Sequence, residues 1–146
     1  MSARTKRYAR GALLFLSLLF MAACGVEQKR SGLPPSAQAA IDNITNDLSR
    51  GDYDKIYAEA TDEWRRTAPP DQSRAHLERI RTTLGNVLSR QQLDAREQLA
   101  GLEEHMLMVN YNTKFERGDA IETFELIERQ SRWLLVRYAV RSNALR

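Results

Sequence analysis

The spacing of the apolar residues divides the chain into three zones. Residues 11–20, Gly-Ala-Leu-Leu-Phe-Leu-Ser-Leu-Leu-Phe, form one short apolar run near the start. From residue 36 onward, apolar positions recur every three or four residues, which places them on one face of a helix. Ala37, Ile41, Ile44 and Leu48 make the first stripe, and Ser36, after Pro34-Pro35, is its expected N-cap. Gly51-Asp52 ends it, glycine suiting the left-handed position after a helix. Asp52 is expected to cap a short second helix carrying Tyr53, Ile56, Tyr57 and Ala60, with Trp64 just beyond it. Pro69-Pro70 stops that segment. A third helix is expected to start at Asp71 or Ser73 and to carry Leu77, Ile80, Leu84 and Leu88, with Gly85 as its stop or bend.

In the C-terminal half the period falls to two. Residues 105–115 alternate, placing Leu107, Val109, Tyr111, Thr113 and Phe115 on one strand face and Met106, Met108, Asn110, Asn112 and Lys114 on the other. Arg117-Gly118-Asp119 reads as a tight turn. Residues 120–129 form the returning strand, with Phe124 and Leu126 expected opposite Tyr111 and Val109. Gln130-Ser131 is a second turn. Residues 133–140 are apolar on both faces apart from Arg137, as expected of a strand that is central or covered on both sides. Residues 93–99 supply a further strand, with Gly101 in the connection after it. Helices followed by a meander of strands make an α+β layout. The N-terminal helices pack on a curved antiparallel sheet of three to four strands, giving a cone whose open end is the natural place for a pocket.

The first zone has a separate meaning. Arg4, Lys6, Arg7 and Arg10 precede the apolar run, and no acidic residue occurs before Glu27. A positive start, an apolar middle and a small-residue exit are the parts of a secretory signal. Residues 11–24 number 14, short of the about 20 that a spanning helix needs, which favours a cleaved signal over an uncleaved anchor. The run ends in Met21-Ala22-Ala23-Cys24, which resembles the lipobox of a bacterial lipoprotein, with Met21 where leucine is usual. That resemblance implies a signal peptide over residues 1–23, lipid on the sulfur of Cys24, and attachment to a membrane of the cell envelope. Gly25, rather than Asp, after the cysteine implies the outer membrane, facing the periplasm, if the cell is diderm. Cys24 is the chain's one cysteine, so lipidation would leave no free thiol and no disulfide. Residues 24–35 are polar and contain Gly32 and Pro34-Pro35, the composition of a flexible tether. Residues 36–146 are then a single domain, of a size that buries a real core.

Charge changes the picture only by what it removes. Four of the 22 basic residues lie before Cys24, leaving 18 basic against 19 acidic in the remainder. Nucleic acid is not an expected partner of such a domain.

Several stretches between residues 40 and 142 resemble a known family. They are Gly51-Asp52-Tyr53 with Ile56-Tyr57, Leu84-Gly85 followed by Arg90, residues 109–115, Glu122-Thr123-Phe124-Glu125-Leu126, and residues 133–138. Together they are similar to the nuclear-transport-factor-two-like superfamily, the cystatin-like cone, and more narrowly to bacterial domain of unknown function 4019. The resemblance implies the cone fold and, often in this superfamily, a homodimer. It carries no activity to transfer. Arg137 stands where the family pattern implies a small residue.

Enzymes of the wider superfamily place an acid or base among the apolar walls of the cone, where burial raises a carboxylate's pKa. The strands offer Glu122, Glu125 and Glu128 with Tyr111 and Tyr138. The competing expectation is that these glutamates face solvent or pair with Arg129, Arg132 and Arg137. Glu103-Glu104-His105 supplies half a metal site, and neither His76 nor His105 has a second histidine at helical spacing, so no metal or other cofactor is expected. Arg65, Arg66, Arg74, Arg79 and Arg81 do not share one helical face and read as solvated surface rather than a lipid-binding patch. No Gly-rich phosphate loop or nucleophile elbow is present. The expectation is therefore a non-catalytic binding module for a small apolar ligand, with Tyr111, Phe124, Glu125 and Trp133 as its candidate pocket. The alternatives are an envelope-protein interaction module with an outer apolar face at Met106, Met108 and Ile127, and an enzyme with Glu125 as its acid.

Overall fold

The structure is a computed structural model that describes residues 28–29, 32–99 and 104–146. Residues 1–23, Cys24 and Gly101 lie outside the described residues. Four α-helices lie between a two-residue first strand and the four long strands of an antiparallel sheet: α1 (Pro35–Arg50), α2 (Tyr53–Glu59), α3 (Asp62–Thr67) and α4 (Pro70–Leu84). The sheet runs β1 (Gln28–Lys29), β2 (Val87–Leu99), β3 (His105–Phe115), β4 (Gly118–Arg129) and β5 (Arg132–Arg141), hydrogen-bonded in that order. This is the expected α+β layout, with β1 a two-residue addition at one edge. No described helix is long and apolar enough to cross a membrane.

Proline, not the expected polar caps, starts the two long helices. A proline at the first helical position lacks only an N–H that would have no partner there. α1 therefore begins at Pro35 and α4 at Pro70, each a little earlier than expected. Ser36 and Ser73 then fall inside the first turn and serve elsewhere. Ser36 Oγ accepts from Trp133 Nε1 at 3.2 Å, and Ser73 Oγ accepts from Trp64 Nε1 at 2.9 Å. Trp64 belongs to α3, a helix too short for its own periodicity and capped by Thr61, whose hydroxyl accepts from the Trp64 N–H at 3.3 Å. The stripes bury Ala37, Ile41, Leu48, Ile56, Leu77, Ile80 and Leu84. Leu88 leaves the fourth-helix stripe. Gly85 turns the chain at φ +82°, and Leu88 becomes an unpaired residue in β2 that is 62% exposed.

All five inward residues of β3 are buried, as the alternation requires. The β3–β4 pairing differs from expectation by two positions. Its turn is Glu116-Arg117, so Phe124 lies opposite Val109, Leu126 opposite Leu107, and Glu122 opposite Tyr111. Helix α4 fixes this turn one residue earlier. Arg117 N–H donates to the Leu84 carbonyl at 2.9 Å, and Glu116 N–H to the Asn86 carbonyl at 3.0 Å. Gln130 and Ser131 form the other tight turn, both at positive φ. β5 is the outermost strand, not a central one. An extra residue at Val136 opposite Glu125 and Leu126 explains its two-faced apolarity. The bulge lets Trp133, Leu135 and Tyr138 all point inward although their spacing breaks strict alternation. It also turns Arg137 outward beside Glu125, which accommodates a large residue at that position.

Candidate functional site

The center of the helix-facing sheet surface holds a charged cluster. Glu122 on β4 stands between Ala120 and Phe124 on the inward face and is fully buried. Arg90 reaches it from β2 with both arms of its guanidinium, Nε to Oε2 at 2.6 Å and Nη2 to Oε1 at 3.0 Å. Thr113 on β3 donates a short hydrogen bond to Oε2, and Tyr138 on β5 donates to Oε1 at 2.6 Å. The remaining arm of Arg90 donates to Thr45 on α1 at 2.8 Å. Its guanidinium carbon also lies 5.4 Å from the Tyr111 ring center and 5.3 Å from that of Phe124. One carboxylate thus ties four strands together, and its arginine ties them to α1.

The acceptor positions of this carboxylate are filled. Each oxygen already accepts two hydrogen bonds, and an ionised carboxylate offers about four acceptor positions in all. Among the described residues no buried side-chain nitrogen or oxygen lacks a partner. Burial pushes the Tyr138 hydroxyl well above its ordinary 10.0, and the neighboring Glu122 charge pushes it the same way. Tyr111 is also raised, chiefly by burial. A group whose folded pKa is raised contributes its stability below its unfolded pKa and loses it as pH rises toward the folded value. Tyr138→Phe is therefore expected to cost about 1–3 kcal/mol at pH 7, because Glu122 loses a donor. It should also flatten the decline in stability above about pH 10. Urea midpoints measured from neutral to alkaline pH check both.

The four candidate pocket residues do not converge. Tyr111 and Phe124 lie in the filled interior against Arg90, edge to face with each other at 6.0 Å. Phe124 also packs on Tyr138 at 4.8 Å. Glu125 is on the opposite sheet face, paired with Arg137 at 3.2 Å. Trp133 lines a groove of about 310 Å³ between α1, α2 and the start of β5. Ala39, Ala40, Ile44, Ile56 and Leu135 supply its other apolar walls. Its buried acid, Asp47, is engaged by Lys55 at 2.9 Å and by Arg50.

The outer sheet face is mixed. Met106, Ile127 and Leu134 form one row, while Asp94, Asn110 and Thr123 form a hydrogen-bonded polar row at 2.8 and 2.6 Å. The arginines weighed as a lipid face are all engaged. Arg65 donates to the Ala60 carbonyl at 2.6 Å, Arg66 pairs with Glu63, and Arg74 pairs with Asp54. Arg79 and Arg81 donate to the Leu145 and Ser49 carbonyls. Arg129, hydrogen-bonded to both oxygens of Glu63, holds that acid down to about 2. His105 pairs with Glu97 at 3.1 Å, and no metal-binding group of three or more His, Cys, Asp or Glu occurs among the described residues.

Residues 87–92 carry no regular alternation, so the sequence alone does not bring Arg90, or Thr45 with it, to Glu122. The available signal was Glu122 itself. An acid at an inward position between Ala120 and Phe124 requires a buried cation or a set of donors.

A family model described as "Protein of unknown function (DUF4019)" matches residues 40–138. No curated protein matches the chain.

Proposed function

The chain belongs to the DUF4019 family, whose description assigns no activity, and we propose that it is a lipid-anchored, non-catalytic binding module of the cell envelope. In this reading Cys24 carries the lipid, residues 24–35 space the domain from the membrane, and the Trp133 groove takes a small apolar molecule. The helix-on-sheet layout accords with the nuclear-transport-factor-two-like resemblance. The observation that carries the reading is the division of space within the domain. The interior around Tyr111 and Phe124 is filled by its own charged cluster, while the groove beside Trp133 stays open with alanines along its helical wall. A volume of about 310 Å³ falls at the lower end of the range for small-molecule sites.

The test is native mass spectrometry of the full chain purified from membranes in a mild detergent. A retained small-molecule mass is expected. It should be lost in Trp133→Ala and also in Ala39→Trp, which fills the groove from an exposed helix position and leaves the core untouched. A wild-type mass without adduct would overturn the groove. A dimer without adduct would favor the interaction-module reading, for which Leu88, Leu93 and Leu99, all on β2 and more than half exposed, would be the contact residues.

A further inference from the structure

The first strand lies where the anchor reading expects only tether. Gln28 pairs with Glu97 and Lys29 with Arg96, antiparallel, on the outer edge of β2. Residues 24–35 are therefore not a uniform spacer, because the backbone is fastened to the sheet four residues after Cys24. Four extended residues reach at most about 14 Å. The register also gives a direction. Each step backward along β1 is a step forward along β2, so the chain enters Gln28 from the Leu99 end of that strand. Leu99 is the last residue of β2 and is 68% exposed. Its pairing with His105 continues the inward alternation of Ala95 and Glu97, yet Ala95 is buried and no helix covers Leu99 among the described residues. Leu88 is exposed to a similar extent, 62%, but lies eleven residues back along β2. At the rise of a strand that is about 36 Å, more than twice the reach of the four-residue link.

We propose that the Leu99 end of β2 is a docking surface for the phospholipid bilayer, with Leu99 seated where headgroups meet acyl chains and the domain held edge-on by β1. The inference rests on lipid at Cys24. An anchored Cys24 brings the bilayer surface within about 14 Å of Gln28, at the end of the sheet where an apolar side chain has no cover. Tethering makes the insertion of Leu99 intramolecular, at a high effective concentration, so one side chain suffices to set the orientation of a domain that it would not hold alone. A second copy pairing along the edge of β2 would instead cover Leu88, Leu93 and Leu99 together.

The experiment compares Leu99→Trp and Leu88→Trp in the full chain, purified from membranes and reconstituted in vesicles of phosphatidylcholine brominated on its acyl chains. Both substitutions are at exposed positions, and the wild type, whose Trp64 and Trp133 are buried, sets the fluorescence background. Flotation with the vesicles reads the anchor separately. Brominated lipid is expected to quench the added emission of Leu99→Trp and to leave that of Leu88→Trp unchanged. Gln28→Pro combined with Lys29→Pro removes both N–H groups that β1 has to offer β2. In the Leu99→Trp background it should still float and should lose the quenching. Floating chains in which both reporters are quenched, or neither is, overturn the docking surface and leave the anchor standing. So does quenching at residue 99 that survives the two prolines. A wild-type chain that does not float overturns the anchor and the docking surface together.

Discussion

Glu122→Leu, with Arg90 left in place, is expected to cost about 3–5 kcal/mol of stability, because it leaves a guanidinium buried without its counter-charge. Domains of this kind have about 5–15 kcal/mol in total, so the variant should unfold at a much lower urea concentration. Arg90→Met should cost a similar amount by stranding a carboxylate that is fully buried. The double variant Arg90→Met with Glu122→Leu should recover most of the loss, since a well-packed apolar pair in place of a buried ion pair is often neutral or stabilizing. The recovery follows from the geometry. Arg90 is only 14% exposed, and its two bonds to Glu122, at 2.6 and 3.0 Å, are its main anchors. A double-mutant cycle built on urea midpoints measures the coupling. Single variants of wild-type stability, or a double variant whose loss equals the sum of the two, would show that the cluster does not hold the sheet together.

That cluster also marks where the sequence stopped being legible. Period-3.6 stripes and the strict alternation of residues 105–115 placed the core correctly, because each pattern repeats over several turns or residue pairs. Single-residue events escaped that reading. The unpaired Leu88, Leu93 and Val136 shift register without a glycine to announce them, and each moves the residues after it to the opposite face. Arg90 lies between the first two, so its inward position could not be read from period. Glu125 shows the reverse case. Its alternation with Phe124 already placed it on the face opposite the aromatic residue, and grouping the two in one pocket ran against the period of the strand. Capping residues misled for a local reason, since proline at the first helical position displaced Ser36 and Ser73 into roles that only the tertiary structure defines.

Cys24→Ser is expected to move the protein from the membrane fraction to the soluble fraction after a high-salt wash, the largest functional change predicted for any single substitution. The argument is one of chain length and anchoring strength. Residues 11–24 are 14 in number, too few to span a bilayer core that takes about 20. In the lipoprotein reading proposed above, retention depends on lipid at the cysteine. Each buried methylene contributes about 0.8 kcal/mol, and one acyl chain alone holds a protein only marginally. A stably retained wild type thus implies more than one chain at Cys24, which intact mass measurement detects directly. Electrostatics offers little help to the variant, because the arginines on α3 and α4 are engaged with carboxylates and carbonyls of the domain itself. If Cys24→Ser stays membrane-bound after the wash, the apolar segment is an uncleaved anchor and the lipoprotein reading fails. If it is released and its mass begins after the signal without added lipid, the cysteine is the anchor and the domain behind it is free to bind at the distance its tether allows.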